Sequence, residues 1–259
     1  MRLVAVVCSL AALTLLGTSA DAKPRREHHH SRATKAKRSA HASPIKVEHH
    51  HLAYVPRGPI EGQSLGLPWS GRLHDASELA EGDGYVIRRP GRAFGTRTTV
   101  DIIHHALVDF REQFPDAHPI AVGDISQESG GQITQHHSHQ SGRDVDIGLV
   151  YKTKPASYPQ DFVVANADNL DCEATYALLN EFAETAHEDG GAQVIFMDFA
   201  VQGLLYHWAQ DHGEDQAVLD KLFQYPNRGG DGLVRHVVNH DNHMHVRFKC
   251  PEADSSCRN

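Results

Sequence analysis

Alternating polar and apolar positions near the C-terminus predict a half-buried β-strand. Residues 243–249 read His-Met-His-Val-Arg-Phe-Lys, and this period of two is typical of a strand with one buried face. The pattern places His243, His245 and Arg247 on one face and the apolar side chains on the other. Two imidazoles on the same strand face can act at one centre, so this strand is a candidate for metal binding.

A second alternating stretch lies in the middle of the chain. It follows a turn at Ser141-Gly142 and covers residues 144–151, where aliphatic side chains alternate with two aspartates. We expect Asp144 and Asp146 to share the face that points away from the core. His139, before the turn, and Asp146, after it, can then converge on one point.

Helical periodicity accounts for much of the remaining sequence. Apolar side chains recur at helical spacing in four segments, and short apolar runs predict two further strands. Thr98 or Thr99 is expected to cap the first helix, and Gly190-Gly191 to end the second. The first predicted helix extends from its threonine cap to about residue 114, and the other three cover about residues 173–187, 201–210 and 216–223. The two further strands cover residues 120–124 and 194–197.

These elements follow one another without the regular repeat of a doubly wound α/β protein. The sequence therefore predicts an α+β fold. We expect a single compact domain in which a small antiparallel sheet carries the metal site and helices flank the sheet.

The two histidine-containing stretches together indicate a hydrolytic metal site. The chain has 21 histidines, so a single His-x-His pair is weak evidence for metal binding, but a second cluster at compatible spacing strengthens it. Two imidazoles and one carboxylate leave a coordination position for water. This arrangement is typical of catalytic zinc, whereas structural zinc is enclosed by four protein ligands.

Two other catalytic patterns occur in unsuitable places. Gly62-Gln-Ser64-Leu-Gly66 matches the nucleophile elbow, but no apolar strand precedes it and Pro68 follows it. Ser43-Pro-Ile-Lys46 matches a penicillin-binding-protein motif, but it lies in a segment too polar to hold a nucleophile in place. The sequence has no His-Glu-x-x-His, phosphate-binding loop or dinucleotide fingerprint, so water activated by a metal is the mechanism that it favours.

At these residues the chain resembles the penicillin-insensitive murein endopeptidases, which belong to a wider group of zinc peptidases with lysostaphin, the D-Ala-D-Ala peptidases and the hedgehog signalling domain. The group's pattern is a histidine, an aspartate seven residues later and a distal His-x-His, which His139, Asp146 and His243-Met244-His245 match. A weaker resemblance extends from about Gly62 to Cys257. The stretches most specific to the murein enzymes are Gly123-Asp124, Gly130-Gly131, residues 138–142 with 144–146, and residues 240–247 followed by Cys250-Pro251.

The resemblance implies a role for each of these residues. His139, Asp146 and His245 are the expected ligands of a Zn²⁺ ion that activates water, and His243 and His240 are the expected catalytic histidines. Either of the two could take the proton, with the other stabilising the oxyanion, and the sequence leaves this choice open.

Two neighbouring residues are harder to assign. The family can have a metal-contacting histidine three residues before the first ligand, and His136 occupies that position beside His137. We expect His136 to lie in the outer shell or to bind an accessory ion. Asp144 shares the ligand face, and we expect its hydrogen bonds to orient the loop.

The resemblance also implies a substrate, the D-alanyl to meso-diaminopimelate crosslink of peptidoglycan, cut without an acyl-enzyme and therefore insensitive to penicillin. The expected partner is peptidoglycan and not a nucleic acid. The alternatives are a D,D-carboxypeptidase with the same metal site, a lysostaphin-like glycyl endopeptidase and a non-catalytic zinc-binding module that interacts with the wall. The presence of both His240 and His243 beside the ligands favours catalysis.

The N-terminal sequence indicates export. Residues 1–22 have the basic start, apolar run and small-x-small end of a signal peptide, which predicts a periplasmic protein with no membrane span. Residues 23–57 form a basic, His-rich tail that is expected to be disordered, and residues 58–259 form the predicted zinc peptidase domain. The chain has a net charge of -8, so a basic tail precedes an acidic domain, and the tail is either an electrostatic contact to the wall or a solvated linker.

The cysteines fit an exported protein. After removal of the signal peptide, Cys172, Cys250 and Cys257 remain. Cys250 and Cys257 are expected to form a disulfide, at a position where the murein enzymes also have one. Cys172 is left without a partner and is expected to be a buried thiol near the start of a helix.

Overall fold

The computed structural model describes residues 62–259. The predicted signal peptide and the predicted tail lie outside the described residues, as do residues 58–61 of the predicted domain. No helix of the described part is both long enough and apolar enough to cross a membrane.

The described residues form an α+β domain, as predicted, and strands and helices alternate irregularly along it. The helices are α1 (Arg97–Gln113), α2 (Cys172–Glu184), α3 (Phe199–Asp211) and α4 (Gln216–Leu222). The strands are β1 (Gln63–Leu67), β2 (Ser70–His74), β3 (Ser77–Glu78), β4 (Tyr85–Ile87), β5 (Phe94–Gly95), β6 (Ile120–Val122), β7 (Asp144–Gly148), β8 (Ala192–Met197), β9 (Val234–His236) and β10 (His243–Phe248).

A six-stranded sheet in the order β4-β6-β7-β10-β8-β9 forms the centre of the domain. Its middle is antiparallel, because β10 pairs with β7 on one side and with β8 on the other. The edge pairs, β4 with β6 and β8 with β9, are parallel. The antiparallel sheet expected from the two alternating strands is therefore the middle of a larger sheet with parallel edges.

The apolar face of this sheet packs against the helices. Met244, Val246 and Phe248 of β10 are fully buried, and they belong to one core with Leu179 and Phe182 of α2. Burial of each such side chain stabilises the fold by about 1.5–3 kcal/mol. Because side chains alternate along a strand, the opposite face of β7 and β10 carries the polar residues.

The first helix begins earlier than its sequence suggested. Thr96 is the N-cap of α1, and its Oγ1 accepts a hydrogen bond from the backbone N–H of Thr99 at 3.1 Å. The prediction of Thr98 or Thr99 as the cap was therefore wrong. Both lie inside the first turn, and Thr96 alone of the three has the extended backbone that a cap needs.

Buried polar contacts join β1 and the C-terminal segment to the central sheet. Ser64, the serine of the elbow-like pattern, lies in β1, and its Oγ accepts a hydrogen bond from Nε of Arg143 at 3.0 Å. The guanidinium of Arg143 also donates to the carbonyl oxygens of Phe248 and Arg258. Ser64 is fully buried, and its hydroxyl is already hydrogen-bonded to Arg143. Both observations agree with the interpretation that the elbow match is accidental.

The expected disulfide joins Cys250 and Cys257, directly after β10. The backbone of the same segment pairs with β1, because Gly66 donates to the carbonyl oxygen of Ser256 and accepts from Arg258 N–H, both at 3.0 Å. Cys172 is a free thiol at the start of α2, where it was expected, but it is only partly buried, so the prediction of a buried thiol was wrong. The C-terminal segment is thus held beside the strand that carries the His-x-His pair.

Candidate metal centre

Three potential metal ligands meet at the polar face of β7 and β10. The distances from His139 Nε2 to Asp146 Oδ1, from His139 Nε2 to His245 Nδ1 and from His245 Nδ1 to Asp146 Oδ1 are each 3.3 Å. In a tetrahedral zinc site with bonds of 2.0–2.1 Å, two ligand atoms lie about 3.4 Å apart. The three atoms therefore have the spacing of three corners of such a tetrahedron.

Strand pairing brings two of these residues together. Asp146 of β7 and His245 of β10 are directly paired in the antiparallel register, so their side chains extend from the same face as neighbours. His139 reaches the same point from the preceding loop and has a left-handed backbone with φ of 64°. A non-glycine residue in this region is strained, and such strain is common where a functional side chain must be held in place.

Hydrogen bonds on the far side of each imidazole leave the inner nitrogen available. Nδ1 of His139 donates to the carbonyl oxygen of Ile125 at 3.0 Å, so Nε2 points into the centre. Nε2 of His245 donates to Asp144 Oδ1 at 3.0 Å, so Nδ1 points into the centre. Outer partners of this kind orient metal-binding histidines.

The carboxylate of Asp146 has the electrostatics of a cation site. Its Oδ1 is buried and has no hydrogen bond of normal geometry. Burial raises its pKa, but interactions with His139 and His245 outweigh this effect and hold the pKa well below its ordinary value. A buried, ionised and unsatisfied carboxylate oxygen between two imidazole nitrogens fits a bound metal cation.

Asp144 connects the two candidate histidine ligands. Its Oδ2 accepts a hydrogen bond from the backbone N–H of His139 at 3.0 Å, and its Oδ1 accepts from His245 and, at 2.7 Å, from Nε of Arg247. The sequence led us to expect only a bond that orients the loop. The structure adds a direct contact to the ring of His245, which the residue spacing could not show.

His243 and His240 lie beside the three candidate ligands. His243 Nε2 is 3.7 Å from Asp146 Oδ1, while its Nδ1 donates to Asn242 Oδ1 at 2.6 Å. The ring of His240 is 4.8 Å from that of His243, and its Nδ1 donates to the carbonyl oxygen of Val238. Burial lowers the pKa of His243 to about 4 and lowers that of His240 as well. Both imidazoles are therefore neutral near pH 7.

His136 forms a second, looser group with two of the same residues. Donor atoms of His136, His139 and Asp146 lie within 4.8 Å of one another. However, His136 Nε2 is closer to Asp124 Oδ2, at 2.9 Å, than to Asp146 Oδ2, at 3.7 Å. We favour the tighter set with His245, because His136 already has a carboxylate partner. His137 has an exposed side chain and does not join the group.

Asp124, the partner of His136, is fully buried in a cationic environment. Its carboxylate lies 2.7 Å from Nε of Arg89 and 2.8 Å from Nη1 of Arg92. Burial raises its pKa, but the hydrogen bonds from His136 and Arg92 and the charge of Arg89 outweigh this effect and lower the pKa. Asp124 therefore remains a carboxylate and holds His136 at the edge of the centre.

Several aromatic residues at the site were not found from the sequence. Phe162 stacks on His243 with ring centroids 4.9 Å apart and an interplanar angle of 15°, and the guanidinium of Arg88 lies over the same phenyl ring. Trp69 and Phe196 flank Arg247. Phe162 lies in a segment with neither helical nor strand periodicity, so no local pattern indicated that it would reach the site.

Comparison with known proteins finds similarity to the penicillin-insensitive murein endopeptidases. The family model described as penicillin-insensitive murein endopeptidase matches residues 64–186, a segment that contains His139 and Asp146 but ends before His240. Curated proteins of the same name are similar over a longer range. The one from Yersinia enterocolitica is 29% identical over 212 residues, which is 77% of this chain and 71% of the relative. Those from Klebsiella pneumoniae and Pectobacterium atrosepticum are each 28% identical over 77% of this chain.

Proposed function

We propose that this chain belongs to the penicillin-insensitive murein endopeptidase family, to which it is similar. We propose further that it is a zinc peptidase that hydrolyses the D-alanyl to meso-diaminopimelate crosslink of peptidoglycan. The 3.3 Å triangle of His139, Asp146 and His245 is the observation that carries the proposal. It supports a metal-dependent hydrolase, and the family supports the substrate.

We propose zinc as the metal because the donor set is two imidazoles and one carboxylate, which suits Zn²⁺ better than the oxygen-binding ions Mg²⁺ and Ca²⁺. When bound, zinc supplies a Lewis acid and lowers the pKa of water toward neutrality. His139 and His245 are held by their outer hydrogen bonds, so the chain provides a preorganised site.

The two neighbouring histidines provide proton transfer. Nε2 of His243 has no hydrogen-bond partner among the described residues and lies next to Asp146. A neutral imidazole there can take a proton from the attacking water and deliver it to the leaving amine. His240 donates its Nδ1–H to a backbone carbonyl, so its Nε2 is also unprotonated and makes it a second candidate base. Once Nε2 has taken up a proton, the imidazolium can stabilise the developing oxyanion.

Penicillin insensitivity follows from the absence of an acylation step. β-Lactams inactivate peptidoglycan enzymes by acylating a catalytic serine. The one serine in an elbow-like pattern, Ser64, is buried and bonded to Arg143. The proposed mechanism uses water and needs no serine nucleophile.

The cellular location is part of the proposal. A murein hydrolase acts outside the cytoplasmic membrane, which agrees with the signal peptide expected from residues 1–22. We propose a periplasmic location, with the basic tail as an auxiliary contact to the anionic wall. The tail contact is contradicted if a variant that starts at Pro56 sediments with isolated sacculi at low salt as well as the mature protein does.

The decisive experiment is digestion of purified sacculi by protein that lacks the His-rich tail, with its metal content measured in parallel. Removal of the tail matters because its histidine runs would add metal of their own. We expect one zinc per chain and conversion of crosslinked muropeptide dimers to monomers, also in the presence of penicillin. Zinc-loaded protein that binds sacculi without converting dimers would be a non-catalytic module, and release of alanine from monomeric pentapeptide would indicate a carboxypeptidase.

A further inference from the structure

Arg247 lies beside the candidate metal centre, where only one nitrogen of its guanidinium donates a hydrogen bond to a described residue. Its Nε donates to Asp144 Oδ1 at 2.7 Å, and no hydrogen bond from either of its terminal nitrogens is present among the described residues. The side chain is 13% exposed, so it is mostly buried but keeps some contact with solvent. An arginine in this state can bind an anion through its two outer N–H groups.

Two aromatic rings hold this guanidinium in place. Its Cζ lies 5.4 Å from the ring centroid of Trp69 and 5.3 Å from that of Phe196. Trp69 is 41% exposed and lies in the turn between β1 and β2. Because the cation is already ordered by Asp144 and the two rings, a ligand would not have to order it.

The strand places Arg247 at a useful distance from the reaction. Arg247 follows His245 by two residues on β10, so both side chains extend from the same face, about 7 Å apart along the strand. A peptide that lies along β10 with its scissile carbonyl at the candidate metal ligands would pass Arg247. The contact of Nε with Asp144 Oδ1 sets the direction of the guanidinium.

The proposed substrate carries an anion in the right region. In a D-alanyl to meso-diaminopimelate crosslink, the carbon that bears the scissile nitrogen also bears a free carboxylate. Hydrolysis leaves this carboxylate in place, so an enzyme can use it for recognition. A carboxylate and a guanidinium make paired, charge-assisted hydrogen bonds.

We propose that Arg247 binds the free carboxylate next to the scissile amide and thereby selects crosslinks with an unmodified diaminopimelate. This inference rests on the proposed murein endopeptidase function. It makes Arg247 a specificity-determining residue, in addition to its contact with Asp144.

The test compares two synthetic crosslinked dimers that differ only at this carboxylate, one free and one amidated. Wild-type protein, Arg247→Gln, Arg247→Lys and the control Arg235→Gln are each loaded with zinc, and kcat/KM is measured on both dimers. Arg235 is an exposed arginine on the edge strand β9, three strands from the strand that carries Asp144. A calorimetric titration of metal-free protein with each dimer gives the binding constant when no cleavage takes place.

We expect the wild-type protein and Arg235→Gln to prefer the free carboxylate by about tenfold to a hundredfold in both measurements. Arg247→Gln should lose this preference. Arg247→Lys should keep part of it, because lysine retains the positive charge but cannot make the paired hydrogen bonds of a guanidinium. If Arg247 only orients Asp144, Arg247→Gln will weaken both dimers equally, and the proposal is wrong.

The wild-type protein alone also provides a test, in case Arg247→Gln does not fold. Equal cleavage of the two dimers by wild-type protein would overturn the role of Arg247 and leave the proposed function intact. Cleavage of neither dimer by zinc-loaded wild-type protein would instead contradict the proposed function.

Discussion

Asp144 on β7 accepts a hydrogen bond at 3.0 Å from Nε2 of His245 on β10. The second oxygen of the same carboxylate accepts the backbone N–H of His139, also at 3.0 Å. His139 and His245 are 106 residues apart in the sequence. One carboxylate therefore orients two candidate metal ligands that belong to different parts of the chain.

Replacement of Asp144 by asparagine should weaken metal binding. The amide has the same size, but it lacks the charge that holds Nε2–H of His245 and the backbone of His139. We expect zinc affinity to fall by about tenfold to a hundredfold, measured by competition with a chromophoric chelator on tail-free protein. The control is Asp211→Asn, an exposed position at the end of α3, and equal affinities of the two variants would contradict the role of Asp144.

Metal binding should release a proton from His245. Burial lowers the pKa of this imidazole, but the hydrogen bond to Asp144 and the negative charges of Asp144 and Asp146 outweigh burial and raise the pKa to about 9. The metal-free protein therefore holds a proton on Nδ1 at pH 7, and the metal must displace it. We expect release of about one proton per zinc at pH 7, and less above pH 9, from calorimetry in buffers of different ionisation enthalpy. A binding enthalpy that is independent of the buffer would contradict this assignment.

The same shift predicts how the stability of the metal-free protein depends on pH. Folding raises the pKa of His245, so protonated His245 stabilises the folded state. Its contribution to the free energy of unfolding is complete below about pH 6.5, which is the ordinary pKa of a histidine. The contribution is lost as pH rises through about 9. We expect urea midpoints to fall over this range in wild-type protein and to fall less in His245→Gln. Parallel curves for the two proteins would show that the ring does not titrate there.

His243 should be required for catalysis and not for metal binding. Its Nε2 lies 3.7 Å from Asp146 Oδ1, outside the 3.3 Å triangle. We expect His243→Ala to lower kcat by about 10²–10⁴-fold with zinc content unchanged. His105→Ala, on the exposed side of α1, is the matched control. An unchanged cleavage rate would remove His243 from the mechanism, and loss of zinc would make it a ligand.

Phe162 should position His243 by stacking. We expect Phe162→Leu to reduce kcat about twofold to tenfold, since an aromatic pair of this kind contributes about 0.5–1.5 kcal/mol. The ring protons of His243 should also lose an upfield ring-current shift in NMR spectra. Phe114→Leu removes a stacked pair with Phe110 at the same 15° angle, away from the site, and is the control. If the two variants have equal activity and His243 does not shift, the stack has no role in positioning.

The sequence by itself predicted the features that depend on local periodicity. The polar face of β10, the helical segments, the α+β class and the buried side chains of β7 all follow from alternation or helical spacing, which neighbouring residues establish. The sequence motifs also identified the candidate ligands His139, Asp146 and His245. Strand order and the parallel edges of the sheet were not predictable in this way, because they depend on pairing between distant segments.

The tertiary structure decided how these residues are arranged in space. It selected Thr96 as the helix cap, brought Asp146 opposite His245 through the strand register and directed one nitrogen of each imidazole into the centre. It also placed Phe162 and Trp69 at the site from segments without a periodic pattern. The physical reason is that hydrogen-bond direction and side-chain packing depend on atoms far apart in the sequence, whereas periodicity reports only which side of a strand or helix is buried.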